Sequence, residues 1–332
     1  MATTPYFMLS PNTALSILGL LHGPDKTVPT PAEDWRKAKV DVIIPALNEE
    51  ENIGLCLASL AQQTFKPRKI VLVDDGSKDR TVEYARDFCA VNGMEIEIIQ
   101  RKSPIGKTPT LKRESRELDS DVEFILDGDT MLESTNYIER VVEELYKAVG
   151  IASACGNVQS LRRKDRKCEA HSAMMNRFLK KHPEAPIYPQ INFFHRMLTT
   201  ITAMYRECLY TFLQRFVYRG QMTFFGSIFH PVGCAVGYRR KYIEDLFAHY
   251  EPILGDDLTN SEDIFIGFAL VNHGYRNIQL SDVLCRSRDP ELNRLPHQFY
   301  MWSSSFLQSC LYFHGLTTSP FKAFKRWRHN RQ

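Results

Sequence analysis

Residues 40–51 read V-D-V-I-I-P-A-L-N-E-E-E, and this stretch decides which kind of fold the chain can adopt. Residues 40–45 are a largely apolar run that ends in proline, which is typical of a buried strand in a parallel sheet. Asn48 with Glu51 three positions later resembles a helix capping box. Apolar side chains then recur at helical spacing: Ile53, Leu57 and Leu60. The stretch therefore predicts a buried strand followed by a helix.

The same pattern returns further along the chain. Residues 70–73 predict a second strand, residues 94–99 a third and residues 122–126 a fourth, and an amphipathic helix follows the second and the fourth. Strands that alternate with such helices indicate right-handed βαβ units, which bind ligands at the carboxyl ends of their strands. The predicted fold is α/β, with a mostly parallel sheet flanked by helices, and the polar clusters after these strands should converge.

The pattern weakens after residue 150. We expect one more strand to about residue 159, and then a basic stretch that leads into a long helical region up to residue 218. Residues 220–237 are rich in Gly and Phe and predict a loop and a short strand. Helices should follow at residues 239–248 and from Ser261 onward.

Composition and charge narrow the class of protein. The 332 residues include 43% hydrophobic and 24% charged residues, which is typical of a globular chain with a sizeable core. The formal net charge of +3 argues against a chain-wide nucleic-acid surface. Eight scattered cysteines lack zinc-site spacing and are expected to be reduced thiols, mostly buried. Without a signal-peptide pattern or a membrane-spanning run, a cytoplasmic location is expected.

Asp127-Gly128-Asp129 is the cluster with the clearest chemical role. Two carboxylates one residue apart can hold a hard divalent cation, Mn²⁺ or Mg²⁺, against a diphosphate. Taken alone, such a pair is more often a polar turn that closes a strand. Other clusters at the same predicted sheet edge therefore decide between the two interpretations.

Three further features favour a nucleotide site. The carboxylate of Asp75 can accept a base N–H and so select a pyrimidine, although an Asx turn is the alternative. Pro45, Asn48 and Glu49 follow the first strand and can supply backbone groups and a carboxylate beside a nucleoside. Lys107, in a Gly/Pro/Lys loop, is suited to the phosphate side of a donor.

In this order and spacing, four motifs resemble the nucleotide-sugar half of glycosyltransferase family 2, which has the GT-A fold: V-D-V-I-I-P-A-L-N-E-E, I-V-L-V-D-D-G-S-K-D-R-T, G-K and F-I-L-D-G-D-T. The resemblance covers roughly residues 40–150. It implies that Asp75 contacts uracil and that Lys107 helps to hold the donor. It also implies that Asp127 and Asp129 handle the ribose, the diphosphate and the metal ion.

The second half resembles the processive members of that family, the cellulose, chitin and hyaluronan synthases. Gly233, in G-C-A-V-G-Y-R-R, matches their acceptor-side glycine segment, and Ser261-Glu262-Asp263 matches their T-E-D motif. The resemblance implies that Asp263 is the general base and that Glu262 lies on the acceptor side. A carboxylate opposite the leaving group suits direct displacement with inversion. Without the resemblance, the two acids would be helix N-terminal charges that complement the macrodipole.

The chain departs from these synthases at their Q-x-x-R-W motif. Gln298 and Trp302 are retained, which implies a donor contact and an acceptor platform, but Met301 replaces the arginine that faces the diphosphate. Met cannot neutralise phosphate. A different cation should then assist: Arg288, Arg294 or Lys107. Because the synthases also carry membrane helices that this sequence lacks, non-processive transfer or a separate membrane subunit fits better.

The sequence thus predicts an inverting, metal-dependent transferase that moves a sugar from a UDP-sugar to a hydroxyl of a saccharide or glycan and forms a β-glycosidic bond, as in polysaccharide biosynthesis. A nucleotidyltransferase that makes nucleotide sugars is one alternative. Such an enzyme would carry a Gly-rich basic loop where residues 48–51 read N-E-E-E. A catalytically silent saccharide-binding subunit of a synthase complex is the other alternative, and Met301 is its motivation.

The predicted organisation has three parts. Residues 1–38 form an extended arm, residues 39–290 the glycosyltransferase domain with a nucleotide-sugar half to residue 150, and residues 291–332 a C-terminal segment that ends in a basic tail. The tail at residues 321–332 suits peripheral contact with an anionic membrane surface at the cytosolic face, or is simply solvated. Residues 193–218 predict a core or subunit-contact helix, with an interfacial helix as the alternative.

Overall fold

The apolar run of residues 40–46 forms the centre of a parallel sheet. Strand β1 (Val40–Ala46) pairs in parallel with β2 (Lys69–Asp74) on one side and with β4 (Val122–Leu126) on the other. Strand β3 (Glu97–Gln100) pairs in parallel with the outer side of β2. These parallel pairings confirm the βαβ half predicted from the sequence. Its central strands expose few positions because helices cover such a sheet on both faces.

The structure, a computed structural model, describes residues 34–188, 193–254, 261–290 and 292–317, together with Ile17. Most of the predicted arm and the whole basic tail lie outside these residues. The described α-helices are α1 (Ile53–Ala61), α2 (Thr81–Asn92), α3 (Lys107–Glu117), α4 (Tyr137–Tyr146), α5 (Arg163–Ala170), α6 (Ala173–Lys181), α7 (Phe193–Phe212), α8 (Arg219–Phe225), α9 (Arg240–Leu254), α10 (Glu262–Asn272), α11 (Leu295–Tyr312) and α12 (His314–Thr317). A π-helical segment, Leu213–Tyr218, joins α7 to α8.

Four more strands extend the same sheet: β5 (Thr130–Leu132), β6 (Ile151–Ser160), β7 (Ala235–Arg239) and β8 (Arg276–Ser287). The strand order in the described residues is β3-β2-β1-β4-β7-β6-β8-β5. Strand β7 is antiparallel to both β4 and β6, whereas β6 and β8 are parallel. Because β4 ends where β7 begins, with Leu126 opposite Ala235, the segment before β7 lies beside the acidic cluster that follows β4.

Helices cover both faces of the sheet. Alternate residues of β1 enter different cores, with Val42 and Ile44 packing against α1, α2 and α4 and Ile43 packing on the side of α9 and α10. Gly237 of β7 permits one close contact, because a Cβ atom there would lie 2.5 Å from Cγ1 of Val141 in α4. Among the described residues, no helix is both long enough and apolar enough to cross a membrane.

Three local expectations were wrong. Asn48 does not cap α1: it has φ 58°, its Oδ1 accepts a hydrogen bond from Lys78 N–H at 2.9 Å, and α1 begins at Ile53 after Asn52. Asparagine tolerates this left-handed conformation better than most residues do. Residues 220–225 are helical because α8 continues the preceding helix until Gly226, at φ 68°. Strand β3 begins at Glu97, where its pairing with β2 starts.

The cysteines agree in part with their prediction. All eight are free thiols, and four of them are buried, whereas Cys168 and Cys208 are exposed. The single sheet runs through residues 40–287, and the predicted boundaries at residues 39 and 290 stay a prediction.

Candidate active site

The loops at the carboxyl edge of the parallel strands are tied to one another. In the loop after β1, Asn48 N–H donates to Ser77 Oγ at 2.8 Å and Glu49 N–H donates to Thr81 Oγ1 at 2.7 Å, both beyond β2. Gly128 N–H, after β4, donates to the carbonyl of Pro45 at 3.2 Å. The three predicted clusters therefore meet, as their positions at strand ends require.

Three carboxylates gather at this edge. Partial burial and the neighbouring Asp129 raise the pKa of Glu49 to about 7. Burial likewise raises the pKa of Asp127 to about 7, with Lys107 opposing the shift and Asp129 adding to it. Closely spaced carboxylates resist full ionisation unless a cation is present. Hard oxygen ligands of this kind fit Mn²⁺ or Mg²⁺, so Asp127, Asp129 and Glu49 are suited to hold the predicted metal ion.

Lys107 joins two sides of the site. Its Nζ lies 2.7 Å from Asp127 Oδ1, 2.8 Å from Glu262 Oε1 and 3.1 Å from the carbonyl of Gly233. Burial lowers the pKa of Lys107, but attraction to Asp127 and Glu262 outweighs this effect and leaves the pKa well above its usual value. The lysine is therefore a fixed cation between the acids after β4 and those at the start of α10.

Asp263 is held in one orientation by three donors. Its Oδ2 accepts Gly233 N–H at 3.1 Å, while its Oδ1 accepts Ser261 Oγ–H at 2.6 Å and Ile264 N–H at 2.8 Å. A Cβ atom at residue 233 would lie 2.7 Å from Asp263 Oδ2, so this approach requires glycine. Glu262 and Asp263 also lie in the first turn of α10, where acids complement the helix dipole. The roles of Asp263 as base and of Glu262 on the acceptor side stay predictions.

Asp75 holds the loop that carries Lys107. Its carboxylate accepts Ile105 N–H at 3.0 Å and Gly106 N–H at 2.8 Å, and it pairs with Arg101 at 3.1 Å. Gly106, at φ 94°, then starts α3 at Lys107. The structure therefore gives Asp75 a positioning role beside the site, and its contact with a base stays a prediction.

Two arginines also lie beside the acidic cluster. Arg166, buried on α5, donates to the carbonyl of Glu51 at 3.2 Å and to Asn52 Oδ1. Burial, together with nearby Arg288, lowers the pKa of Arg166. The backbone N–H of Arg288 donates to the carbonyl of Asp129 at 3.3 Å, and Nη1 of its side chain lies 3.3 Å from Glu51 Oε2.

Sequence reasoning named Arg288 as one replacement for the missing arginine but overlooked Arg166. The only available signal was the basic stretch around residue 166, and nothing in that stretch marks one cation as buried. Of the other candidates, Lys107 lies in the site, whereas Arg294 is exposed just before α11.

Gln298 and Trp302 lie on α11. The ring of Trp302 lies 5.9 Å from that of Phe299, which in turn lies 5.8 Å from Tyr205 of α7. Gln298, Met301 and Trp302 are partly exposed. Their roles toward donor and acceptor stay predictions.

A second group of metal-type ligands is formed by α2 and the residue after α6. Ligand atoms of Glu83, Asp87 and His182 lie within 4.8 Å of one another. Arg80 pairs with Glu83 at 2.7 Å, and Lys181 pairs with Asp87 at 2.9 Å. Cations of the chain already neutralise both acids, so this group is a structural ion-pair network and not the predicted metal site.

The class of protein follows from the edge of the sheet. A parallel βαβ half whose loops gather three carboxylates and a lysine, with further acids at the start of α10, is the arrangement that the sequence resemblance to glycosyltransferase family 2 implies. Residues 41–247 match the family model described as Glycosyl transferase family 2, which is more than half of the chain. The chain belongs to glycosyltransferase family 2.

Curated relatives agree with the family. Glycosyltransferase AglE of Haloferax volcanii is 34% identical over 125 residues, which cover 36% of this chain and 39% of that protein. An N-acetylglucosaminyltransferase of Azorhizobium caulinodans is 26% identical over 263 residues, 76% of this chain and 55% of that protein. The matches thus cover well under two thirds of these relatives. The nearer resemblance to the processive synthases stays a prediction.

A solved structure agrees with the fold. Mannosyltransferase PcManGT from Pyrobaculum calidifontis, in complex with GDP-Man and Mn²⁺, matches with a TM-score of 0.57 and 16% identity. The match covers 90% of this chain and 71% of that one. It shows that this chain has the GT-A fold.

Proposed function

We propose that this chain is an inverting, metal-dependent glycosyltransferase that moves a sugar from a UDP-sugar to a hydroxyl of a saccharide or glycan and forms a β-glycosidic bond. One observation carries the proposal. Lys107 bridges Asp127 and Glu262 and also contacts the carbonyl of Gly233, whose N–H holds Asp263. The donor-side acids and the proposed base therefore belong to a single site.

On the donor side, the chain offers carboxylates for a metal ion and cations for phosphate. Asp127, Asp129 and Glu49 would hold Mn²⁺ or Mg²⁺, which when bound neutralises charge on the leaving diphosphate. Lys107 and Arg288 supply the fixed positive charge that Met301 cannot. The neighbour from Pyrobaculum calidifontis contains a nucleotide sugar and Mn²⁺, which supports the same ligand class here. Uridine is proposed from the motif around Asp75.

On the acceptor side, Asp263 acts as general base. Its carboxylate takes the proton of the acceptor hydroxyl while that oxygen forms a bond to the anomeric carbon. The bond from this carbon to the diphosphate oxygen breaks, and its electron pair leaves with UDP. Because Gly233, Ser261 and Ile264 hold the carboxylate, the base is already oriented before the acceptor binds. Attack opposite the leaving group inverts the anomeric centre.

The test compares the wild-type chain with Asp263→Asn, which keeps the size of the side chain but removes the base. We expect UDP release from UDP-sugars with Mn²⁺ to fall by about 100-fold or more, as for loss of general-base catalysis. Binding of UDP, measured by calorimetry, should remain. Asp245→Asn, at an exposed carboxylate of α9 that pairs with Lys241, is the matched control and should behave as wild type.

Each outcome separates the candidates. Transfer that survives in Asp263→Asn removes Asp263 from the mechanism. Pyrophosphate exchange by the wild-type chain would instead support a nucleotidyltransferase. Binding of UDP-sugars without turnover would support a silent subunit.

A further inference from the structure

Helix α11 has its polar and apolar sides reversed relative to a helix that faces water. Its buried side carries small hydroxyl side chains, with Ser305 0% and Ser309 1% exposed. Its outward side carries large apolar ones, with Tyr300 69%, Leu307 67% and Leu311 72% exposed. Residues 295–312 include no Asp, Glu, Lys or Arg. A helix on a water-facing surface normally shows the opposite distribution.

Helix α7 adds a second exposed apolar stripe. Met197, Ile201 and Met204 are exposed at helical spacing, and residues 197–205 include no charged residue. The two helices touch where Tyr205 meets the ring of Phe299 at 5.8 Å. The exposed apolar residues on these two touching helices define the α7–α11 face: Met197, Ile201, Met204, Tyr300, Leu307 and Leu311.

Large apolar side chains exposed along two touching helices call for a partner. Monomeric soluble proteins rarely expose contiguous apolar patches larger than a few hundred Å², and larger ones mark protein or membrane contacts. The interior cannot be that partner, since α11 already packs on α10. Even so, Phe306, whose ring lies 5.6 Å from that of Phe268 in α10, remains 42% exposed.

Charge identifies the kind of partner. Arg163, Lys164 and Lys167 are exposed on α5, and an ion pair between Arg162 and Glu207 ties the start of α5 to α7. In the sequence, the chain beyond α12 carries a run of cations without an acid: Lys322, Lys325, Arg326, Arg328 and Arg331. Basic residues beside an apolar helical face are the combination that binds anionic lipid at a bilayer interface. Exposed tyrosines such as Tyr300 also favour that depth.

We propose that the α7–α11 face lies on an anionic lipid bilayer, with α7 and α11 in the plane of the interface and the exposed cations of α5 toward the headgroups. The helix that carries Asp263, α10, then lies directly behind the membrane-bound helix. Membrane docking is separate from sugar transfer, and neither proposal depends on the other.

Co-sedimentation of the full chain with vesicles tests the proposal. We expect binding to vesicles of phosphatidylcholine mixed with phosphatidylglycerol, and binding weaker by about tenfold or more with phosphatidylcholine alone or in high salt. The double variant Leu307→Ser with Leu311→Ser should reduce binding to the mixed vesicles by about tenfold or more, because it removes buried apolar area. Val149→Ser, at an exposed apolar residue in the turn after α4, is the matched control.

A second variant keeps the test independent of folding defects. Lys322→Gln with Lys325→Gln and Arg326→Gln changes only the tail and should weaken binding to mixed vesicles while the circular dichroism spectrum stays the same. The proposal fails if the wild-type chain does not bind mixed vesicles or if the leucine variant binds them as tightly as the wild type. It also fails if sedimentation velocity shows that the face joins two copies of the chain and vesicles do not compete.

Discussion

At the scale of single residues, Lys107 decides whether the site works as one unit. It is the cation that touches both Asp127 and Glu262, and its position depends on Asp75, which holds the two N–H groups just before it. The ion pairs keep two acids close together that would otherwise repel each other. A donor diphosphate would find this ammonium already in place.

Replacing Lys107 with Met should therefore lower the rate of UDP release by about 100-fold or more, the scale of losing one preorganised electrostatic donor. Steady-state kinetics of UDP release from a UDP-sugar with Mn²⁺ measures the effect. Lys102→Met, at an exposed lysine in the same loop, is the control and should retain normal rates. Equal rates in both variants would show that Lys107 has only a structural role.

At the scale of elements, the strands with a local signal could be predicted and those defined by distant pairing could not. Strands β1, β2 and β4 are marked by apolar runs that end in acids or proline, so their order and their polar ends were predictable. Strand β7 enters the sheet between β4 and β6, and no local pattern encodes that insertion. Arg166 was missed for the same reason, since only tertiary packing buries it.

Strand β4 also carries an unusual buried acid. Glu123 is fully buried, and in the described structure neither of its carboxylate oxygens has a hydrogen-bond partner. Burial raises the pKa of Glu123 well above its usual value, Glu114 and Asp41 add to the shift, and Arg240 opposes it. The folded chain therefore binds a proton that the unfolded chain releases once the pH exceeds the ordinary glutamate pKa of about 4.3.

The sign of the effect follows. The contribution of Glu123 to the free energy of unfolding is largest below the unfolded pKa and is lost as the pH rises toward the raised folded pKa. The side chain of Glu123→Gln has no proton to lose. As the pH rises from 5 to 8, a range that begins about half a unit above the ordinary glutamate pKa, the free energy of unfolding measured in urea should therefore decrease less for this variant than for wild type. Glu117→Gln, at an exposed position of α3, is the control. Parallel pH profiles in wild type and Glu123→Gln would contradict the assignment.

At the scale of the whole molecule, the site joins the two halves of the sheet. The acids after β1 and β4 belong to the parallel half, whereas Gly233 and α10 come from the second half of the chain. A ligand that contacts both halves should therefore stabilise the complete fold and not only one part of it.

Mn²⁺ together with UDP should raise the melting temperature of the wild-type chain. At a hundredfold excess over Kd the gain is about 2.7 kcal/mol, which corresponds to a shift of a few degrees. Differential scanning fluorimetry measures it, and Asp129→Asn should remove most of the metal-dependent part of the shift. Asp282→Asn, at an exposed acid that pairs with Arg140, should preserve it. An unchanged shift in Asp129→Asn would exclude Asp129 as a metal ligand.

The hydrogen bonds from Asn48 to Ser77 and from Glu49 to Thr81 have a consequence for the entropy of ligand recognition. Two connecting segments that would otherwise sample conformations independently are locked together during folding. Less disorder then remains to be lost when a nucleotide arrives, and more of the contact energy contributes to affinity. Removing the hydroxyl of Ser77 would consequently weaken nucleotide binding, because the loop after β1 would lose this link to the loop after β2.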